Sequence, residues 1–451
     1  MSDRSANVVV GGGLAGMAAA FALRDLGEPV VLLEGRPFLG GRVFSFEDPE
    51  TGFVIDNGQH VLVGACERLR VFLDRIGSRA AFRRQARLRL PILDGRGRRR
   101  DLAAAPLPPP FHLAAALLGY RHLDRADRRS VLTACRRLAA PGVDREDDRP
   151  LGAWLADQGA TPESIDRFWD PIVRPALNVQ VQEASLLLSA FLVRRALRDG
   201  PGAGALWFPT TGLSHAIGNP ALAGLRAAGA DVRLEARATG LELTGGRVGA
   251  VRLQDGSSVP ARRVICALPP EAADRLLRST GAPSGHGALG QSAIVNVYLW
   301  YDRPVLPLPF AGTFDSPLQW IFDRSRILGE EAGGSCVGVS LSAADDLAER
   351  PKEALARLCD EALARLFPAR GRARLERSAV VKEPRATFRA VPGAAALRPG
   401  PATRVAGLFL AGDWTDTGWP ATMEGAVRSG ERAVATAMAR PDRALQEAGI
   451  R

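Results

Sequence analysis

An α/β protein built around a Rossmann-like sheet is predicted by three features of the 451-residue sequence. A strand, a glycine-rich turn, a helix and a second strand follow one another between Val8 and Glu34. A further strand-and-glycine unit lies near the far end, at Gly407–Gly430. The chain is also too long for one compact core, so a second domain is expected, interleaved with the first.

Val8-Val9-Val10 is an apolar run short enough for a buried strand. Gly11-Gly12-Gly13-Leu14-Ala15-Gly16 follows at once with G-x-G-x-x-G spacing. In that spacing Gly11 makes the tight turn, Gly13 lets backbone approach a pyrophosphate, and Gly16 permits close helix–strand packing. Met17–Leu26 is Ala-rich and helix-forming. The helix N-terminus turns free N–H groups and a positive dipole end towards the phosphates, and Leu14 and Ala15 of the loop are expected among the cofactor-binding residues. Val30–Leu33 is a second buried strand, and Glu34 stands where a carboxylate accepts hydrogen bonds from ribose hydroxyls. A bare glycine turn is the bland alternative; strand, helix, second strand and acid in register point to a dinucleotide.

After Glu34 comes Gly35-Arg36-Pro37-Phe38-Leu39-Gly40-Gly41-Arg42, a loop that a nicotinamide-binding unit does not need. At the other end the strand Leu408–Leu410 runs into Gly412-Asp413, and a helix begins near Met423. The pairing resembles the FAD-binding pattern of the amine oxidase, phytoene desaturase and protoporphyrinogen oxidase superfamily. The resemblance implies an α/β Rossmann-like FAD-binding domain of the amine oxidase/p-hydroxybenzoate hydroxylase type, with an inserted mixed α+β substrate domain. It implies that Glu34 binds ribose, that Arg36, Gly41 and Arg42 lie near the ADP moiety, and that Gly412 and Asp413 hold the ribityl–pyrophosphate stretch. Thr422 and Met423 would open a helix whose dipole faces the flavin N1/C2=O edge, where negative charge collects on reduction. Gly58, Gln59 and His60 fall in a glycine-containing turn that lies against the flavin ring in that superfamily. Ala238 falls where backbone groups meet adenine; valine is more usual, but a backbone contact survives the change. None of the five cysteines lies in the C-terminal motif, so noncovalent FAD is expected.

The nucleotide domain is expected from three pieces, residues 1–76, 206–277 and 403–440. Residues 77–205, mainly helical, and 278–402, strands with a helix near Lys352–Leu366, would form the substrate domain. Within the second piece a helix from Gly212 to Ala228 is followed by strands, the last of them Val264–Leu268, stopped by Pro269-Pro270.

Composition excludes several classes. Hydrophobic content of 46% and charged content of 24% are ordinary for a globular protein. The net charge is +10, but nearly all of it is arginine; only Lys352 and Lys382 are lysines. No block interleaves aromatic and basic residues, so nucleic acid is not an expected partner. The run Arg96–Arg100 reads as a solvated loop, with a phospholipid-contacting patch as the other reading. Five scattered cysteines without C-x-x-C imply neither a metal site nor a disulfide framework, which fits a reducing cytoplasm. The nucleotide strand occupies the place of a signal peptide. Leu113–Tyr120 and Leu186–Val193 are roughly half the ~20 apolar residues of a membrane span.

Asp56-Asn57-Gly58-Gln59-His60, FWDPIVRPALN (168–178), AIVNVYLWYDRPV (293–305), QWIFDR (319–324) and GDWTDTGWPATMEGAV (412–427) narrow the match. Together they resemble the hydroxysqualene dehydroxylase family, squalene-associated FAD enzymes of bacterial hopanoid pathways. That resemblance implies reduction of hydroxysqualene to squalene, with hydride from reduced FAD and loss of water. His60 and Asp416 are the candidate proton donors, each within a flavin-facing motif. His60 has the alternative role of hydrogen-bonding cofactor or a carbonyl, and Asp416 that of capping the turn before the flavin helix. Asp170 is a third candidate donor with a structural role as its other reading, and Glu424 reads as an N-terminal helix acid. Residues 105–129 hold Pro-stopped, apolar Ala105–Tyr120 and then Arg121, Arg125, Arg128 and Arg129. They form either a monotopic membrane entrance on the cytoplasmic face or an ordinary core helix. No separate nicotinamide motif marks the electron donor, and no motif marks an oligomer. The alternatives are an oxidative polyene desaturase, a flavin amine oxidase and a non-catalytic FAD-holding lipid-binding protein. The amine reading lacks its lysine near flavin N5: Ala293–Val297 has none.

Overall fold

The computed structural model describes residues 6–143, 149–200, 202–281, 286–330, 334–371 and 373–439. The expected ends of the nucleotide domain, 1–5 and 440, lie outside them. Asn7–Val10, Val30–Leu33 and Arg263–Cys266 are buried throughout. Strands covered on both faces carry no polar alternation, hence the unbroken apolar runs. They form a parallel sheet in the order Asp231–Arg233, Val30–Leu33, Asn7–Val10, Arg263–Cys266, Leu408–Leu410. Segments 1–76, 206–277 and 403–440 thus all supply strands to one sheet. The first helix starts at Leu14, not Met17, straight out of the glycine turn, and ends at Asp25. Residues 214–218 form a wide turn before the helix Asn219–Ala227, and Ala238–Thr244, Arg247–Leu253 and Ser258–Pro260 make an antiparallel sheet beyond it.

A second sheet runs in the order Leu375–Thr387, Ser292–Tyr301, Ser335–Ser342, Trp320–Asp323, Phe310–Thr313, Arg89–Leu93, Arg99–Ala103. Segment 77–205, expected to be mainly helical, therefore contributes two strands. Leu90, Ile92 and Leu102 are buried, while Arg89 and Arg99 both pair with Asp101 at 2.6 and 2.5 Å. The dense arginines around them hid these strands, and the Arg96–Arg100 run is part turn, part strand. Val295, Val297 and Val339 pack on Leu355, Cys359 and Leu363 of the helix Lys352–Leu366. Ile294, Asn296, Ser340 and Ser342 alternate with them and face a cavity.

The C-terminal helix Met423–Ala439 crosses Leu14–Asp25 at Gly430. A Cβ on Gly430 would stand 2.1 Å from the Ala15 carbonyl oxygen and 2.9 Å from the Ala19 nitrogen. Small residues at this crossing let the two helices pack closely. Gly430→Ala gains roughly 1 kcal/mol of helix propensity, but the backbone clash overrides it. Thermal melts should show a lowered Tm for Gly430→Ala. Gly119→Ala, where an added Cβ meets nothing within 4 Å, serves as the control.

Candidate active site

Two of the loop glycines serve the protein itself. Gly11 has φ +107°, and a Cβ there would lie 2.7 Å from the Ala267 carbonyl oxygen; one on Gly16 would lie 1.8 Å from the Gly11 carbonyl oxygen. Gly13 differs, since a Cβ there would meet nothing nearer than the Gly41 Cα at 3.7 Å. The space against its backbone fits a ligand that approaches closely. The helix Leu14–Asp25 has no side-chain cap, so its first N–H groups are left for an anion. A dinucleotide pyrophosphate fits that cradle.

The carboxylate of Glu34 accepts the N–H of Gly12 at 2.7 Å and of Arg36 at 2.9 Å, which fixes its direction at the loop mouth. The Arg36 guanidinium donates to the Gly41 carbonyl at 3.0 Å and lies over the Phe44 ring. Arg42 pairs with Asp413 at 2.5 Å, and that charge holds Arg42 above its ordinary range. Gly412 (φ +143°) must be glycine: a Cβ would strike the Trp414 indole nitrogen at 2.4 Å. Ala238 lines the same cavity beside Arg237 and Thr239.

The turn 57–60 is fixed by a buried ion pair. Arg324 donates to the Asp56 carboxylate at 2.8 Å, with the two side chains 5% and 1% exposed. It also donates to the Gln59 side-chain oxygen at 2.7 Å. Ser45 Oγ and the Leu213 N–H donate to the other Asp56 oxygen, and the Tyr298 hydroxyl to its backbone carbonyl. His60 Nδ1 lies 2.8 Å from the Gly58 carbonyl oxygen, which can only accept, so Nδ1 carries the hydrogen and Nε2 is free. Burial pushes His60 below its ordinary value. Thr422 Oγ1 accepts the Gly425 N–H at 3.1 Å and caps the last helix.

The other acids have structural partners. Asp416 is exposed, lies outside the cavity lining, and its carboxylate accepts the Gly418 N–H at 3.3 Å. It is a turn residue, which corrects its place among the proton donors: two tight turns point its side chain outward. Fully buried Glu424 accepts the N–H groups of Arg68 and Leu69, capping the helix Glu67–Arg75, and pairs with Arg428 at 2.6 Å. Asp170 pairs with Arg174 at 2.7 Å. Arg324 and Asn296 lay inside quoted motifs without a role, since nothing local marks a residue whose partners are far along the chain. Buried Arg398, which donates to the Asp413 and Thr415 carbonyls, had no sequence signal at all.

One cavity of about 1790 Å³ runs from the glycine loop past Gly58–His60 to an apolar end lined by Leu117, Phe168, Ile172, Trp320 and Phe322. Its volume exceeds the roughly 300–1,000 Å³ of a small-ligand pocket, so it has room for a cofactor and a second molecule. All five cysteines are free thiols, and burial pushes each up to about 12.

A parallel sheet with a glycine cradle, whose cavity opens onto a second sheet, is the arrangement of a dinucleotide-binding protein. The chain belongs to the flavin containing amine oxidoreductase family, which matches residues 14–438, and within it to the hydroxysqualene dehydroxylases. It is 31% identical to the hydroxysqualene dehydroxylase of Sinorhizobium fredii (strain NBRC 101917 / NGR234), over 95% of this chain and 97% of that one. It is 33% identical to that of Rhodopseudomonas palustris (strain ATCC BAA-98 / CGA009), over 94% and 96%. A 15-cis-phytoene desaturase from an Oncidium hybrid cultivar is 25% identical, over 94% of this chain and 76% of its own length. Among solved structures, an oxidoreductase from Methanosarcina mazei shares the fold with a TM-score of 0.74 at 18% identity, covering 96% of this chain and 100% of that one. The protein is a flavin-dependent oxidoreductase, and its α/β flavoprotein fold is the expected one.

Arg324→Met leaves the Asp56 charge buried without its partner, which costs roughly 3–5 kcal/mol. Urea titration should show that loss, and flavin content should fall with it.

Proposed function

We propose that this chain reduces hydroxysqualene to squalene, using FAD held noncovalently. The observation that carries the reading is the single cavity that joins the glycine cradle to an apolar chamber across the turn 57–60. In this reading Gly11, Gly13, Leu14, Ala15 and Gly16 cradle the pyrophosphate, Glu34 takes the ribose, and Arg36, Gly41, Arg42 and Ala238 border the ADP half. Gly412 and Asp413 take the ribityl stretch, and Gly58, Gln59, His60, Thr422 and Met423 meet the ring. Residues 1–76, 206–277 and 403–440 form the FAD unit, and 77–205 with 278–402 the substrate unit.

In the net reaction the C–O bond of the allylic alcohol breaks with its electron pair on oxygen. A proton converts the leaving group to water, and a hydride reaches the delocalised cation at carbon. The bound flavin supplies that hydride and is oxidised by two electrons. The apolar wall excludes water that would quench the cation. His60 is the proton donor of this reading; burial holds it below its ordinary value, and it must carry a second ring proton to act.

Membrane contact is part of the same proposal. No helix among the described residues is long and apolar enough to cross a bilayer. In the helix Phe111–Gly119, Leu113, Ala114 and Leu117 line the cavity, while Phe111 and Leu118 are 61% and 60% exposed. One helix thereby serves both as chamber wall and as an apolar outer face. With Arg121, Arg125, Arg128 and Arg129 beyond it, this face suits an anionic surface such as the inner leaflet of the cytoplasmic membrane. Wild type should float with anionic phospholipid vesicles, and Phe111→Asp with Leu118→Asp should stay behind with flavin bound; equal flotation would remove the contact.

The functional test is anaerobic: dithionite-reduced holoprotein is mixed with hydroxysqualene in detergent, and flavin reoxidation is followed at about 450 nm beside lipid analysis. Reoxidation matched by squalene is expected. It should quicken as pH falls towards the lowered His60 value, and His60→Gln should slow it and remove that dependence. A wild type inert to the alcohol whose oxidised form is bleached by phytoene would establish the desaturase reading, to which the 25% identical relative points.

A further inference from the structure

Asn296 lies at the middle of the strand Ser292–Tyr301, hydrogen-bonded on both sides, opposite Ser340 and Val381. Its neighbours Val295 and Val297 point to the opposite face and fill the core against the helix Lys352–Leu366. Asn296, with Ile294, faces the cavity. It is 4% exposed.

The carboxamide is oriented by one contact. Its oxygen accepts the backbone N–H of Gln59 at 3.4 Å, and an N–H can only donate, so the amide oxygen faces the turn. The amide also lies flat on Gly58, where an added Cβ would stand 2.7 Å from Nδ2. The turn itself cannot shift to serve the amide, because Arg324 grips Gln59 and Asp56 together. Nδ2 is left with two hydrogens and no acceptor among the described residues. A donor on the cavity wall that no protein acceptor uses suits a ligand oxygen. His60, three residues from the start of the same turn, presents its free Nε2 to the same cavity.

We propose that Asn296 is the residue that recognises the hydroxyl of the substrate, its Nδ2 donating a hydrogen bond to the allylic oxygen and placing the C–O carbon over the turn 57–60. This rests on the dehydroxylase reading. The hydrogen bond strengthens as the C–O electron pair passes to oxygen, so Asn296 binds the alcohol in preference to the hydrocarbon product and also helps the oxygen depart. The chamber then holds the product by apolar contact alone, which favours its release.

The test uses oxidised holoenzyme, which binds lipid without turnover, and reads dissociation constants for hydroxysqualene and squalene from the perturbed flavin spectrum. Wild type should prefer the alcohol. Asn296→Leu should lower that preference roughly tenfold, with squalene affinity and flavin content unchanged; a retained preference overturns the assignment. Asn296→Asp keeps an acceptor for the Gln59 N–H but opposes negative charge on the departing oxygen. It should slow single-turnover reoxidation roughly tenfold or more with flavin still bound. Should Asn296→Leu lose its flavin, Asn296→Asp decides alone, and an unchanged rate overturns the proposal. A wild type that neither prefers nor consumes the alcohol overturns the dehydroxylase reading as well, whereas one that consumes it while both variants behave normally overturns the role of Asn296 only.

Discussion

Asp56 and Arg324 sit almost out of reach of solvent, and neither charge is tolerable there without the other. Their 2.8 Å contact joins the strand Val54–Asp56, which leads into the turn 57–60, to the end of the strand Trp320–Asp323 in the second sheet. Every remaining acceptor on Asp56 is also used, by Ser45, Leu213 and, through the backbone, Tyr298. A buried pair with its lone pairs satisfied permits one geometry and penalises slippage in any direction. The position of Gly58, Gln59 and His60 against the cavity depends on it, and so does the contact with Asn296.

The other charges near the cavity follow the same rule. Arg42 and Asp413 neutralise each other between the loop after Glu34 and the loop after Leu410. Glu424 settles two helix N–H groups and Arg428 at once. Arg398 holds Asp413 and Thr415 by their carbonyls without a carboxylate contact, and burial pulls it down to about 10. These pairings occupy the charges on either side of the turn 57–60, while His60 and Asn296 line the cavity there. In a low-dielectric site a donor or acceptor acts more strongly than it would in water.

Much of the nucleotide-binding half was legible because its determinants are local. Val8–Val10 and Val30–Leu33 reveal burial by composition, and Gly11 and Gly16 answer to backbone crowding within a few residues. Glu34 and the helix starting at Met423 follow from spacing. The strand Arg89–Leu93 was missed because it lies among arginines: Arg89 at its start and Arg99 on the neighbouring strand both pair with Asp101. Asp416 was misplaced since a motif gives position along the chain, not the direction a turn points its side chain.

By itself the sequence determined the elements whose physics is short-range: hydrophobic periodicity, glycine stereochemistry and helix initiation act over a turn or a strand. Only the tertiary structure decided which of those elements share the cavity. Asn296 meets Gln59 across 237 positions of chain, and Arg324 meets Asp56 across 268. Such contacts exist only once distant segments pack together, because a hydrogen bond is set by distances of a few ångströms that no spacing along a chain encodes.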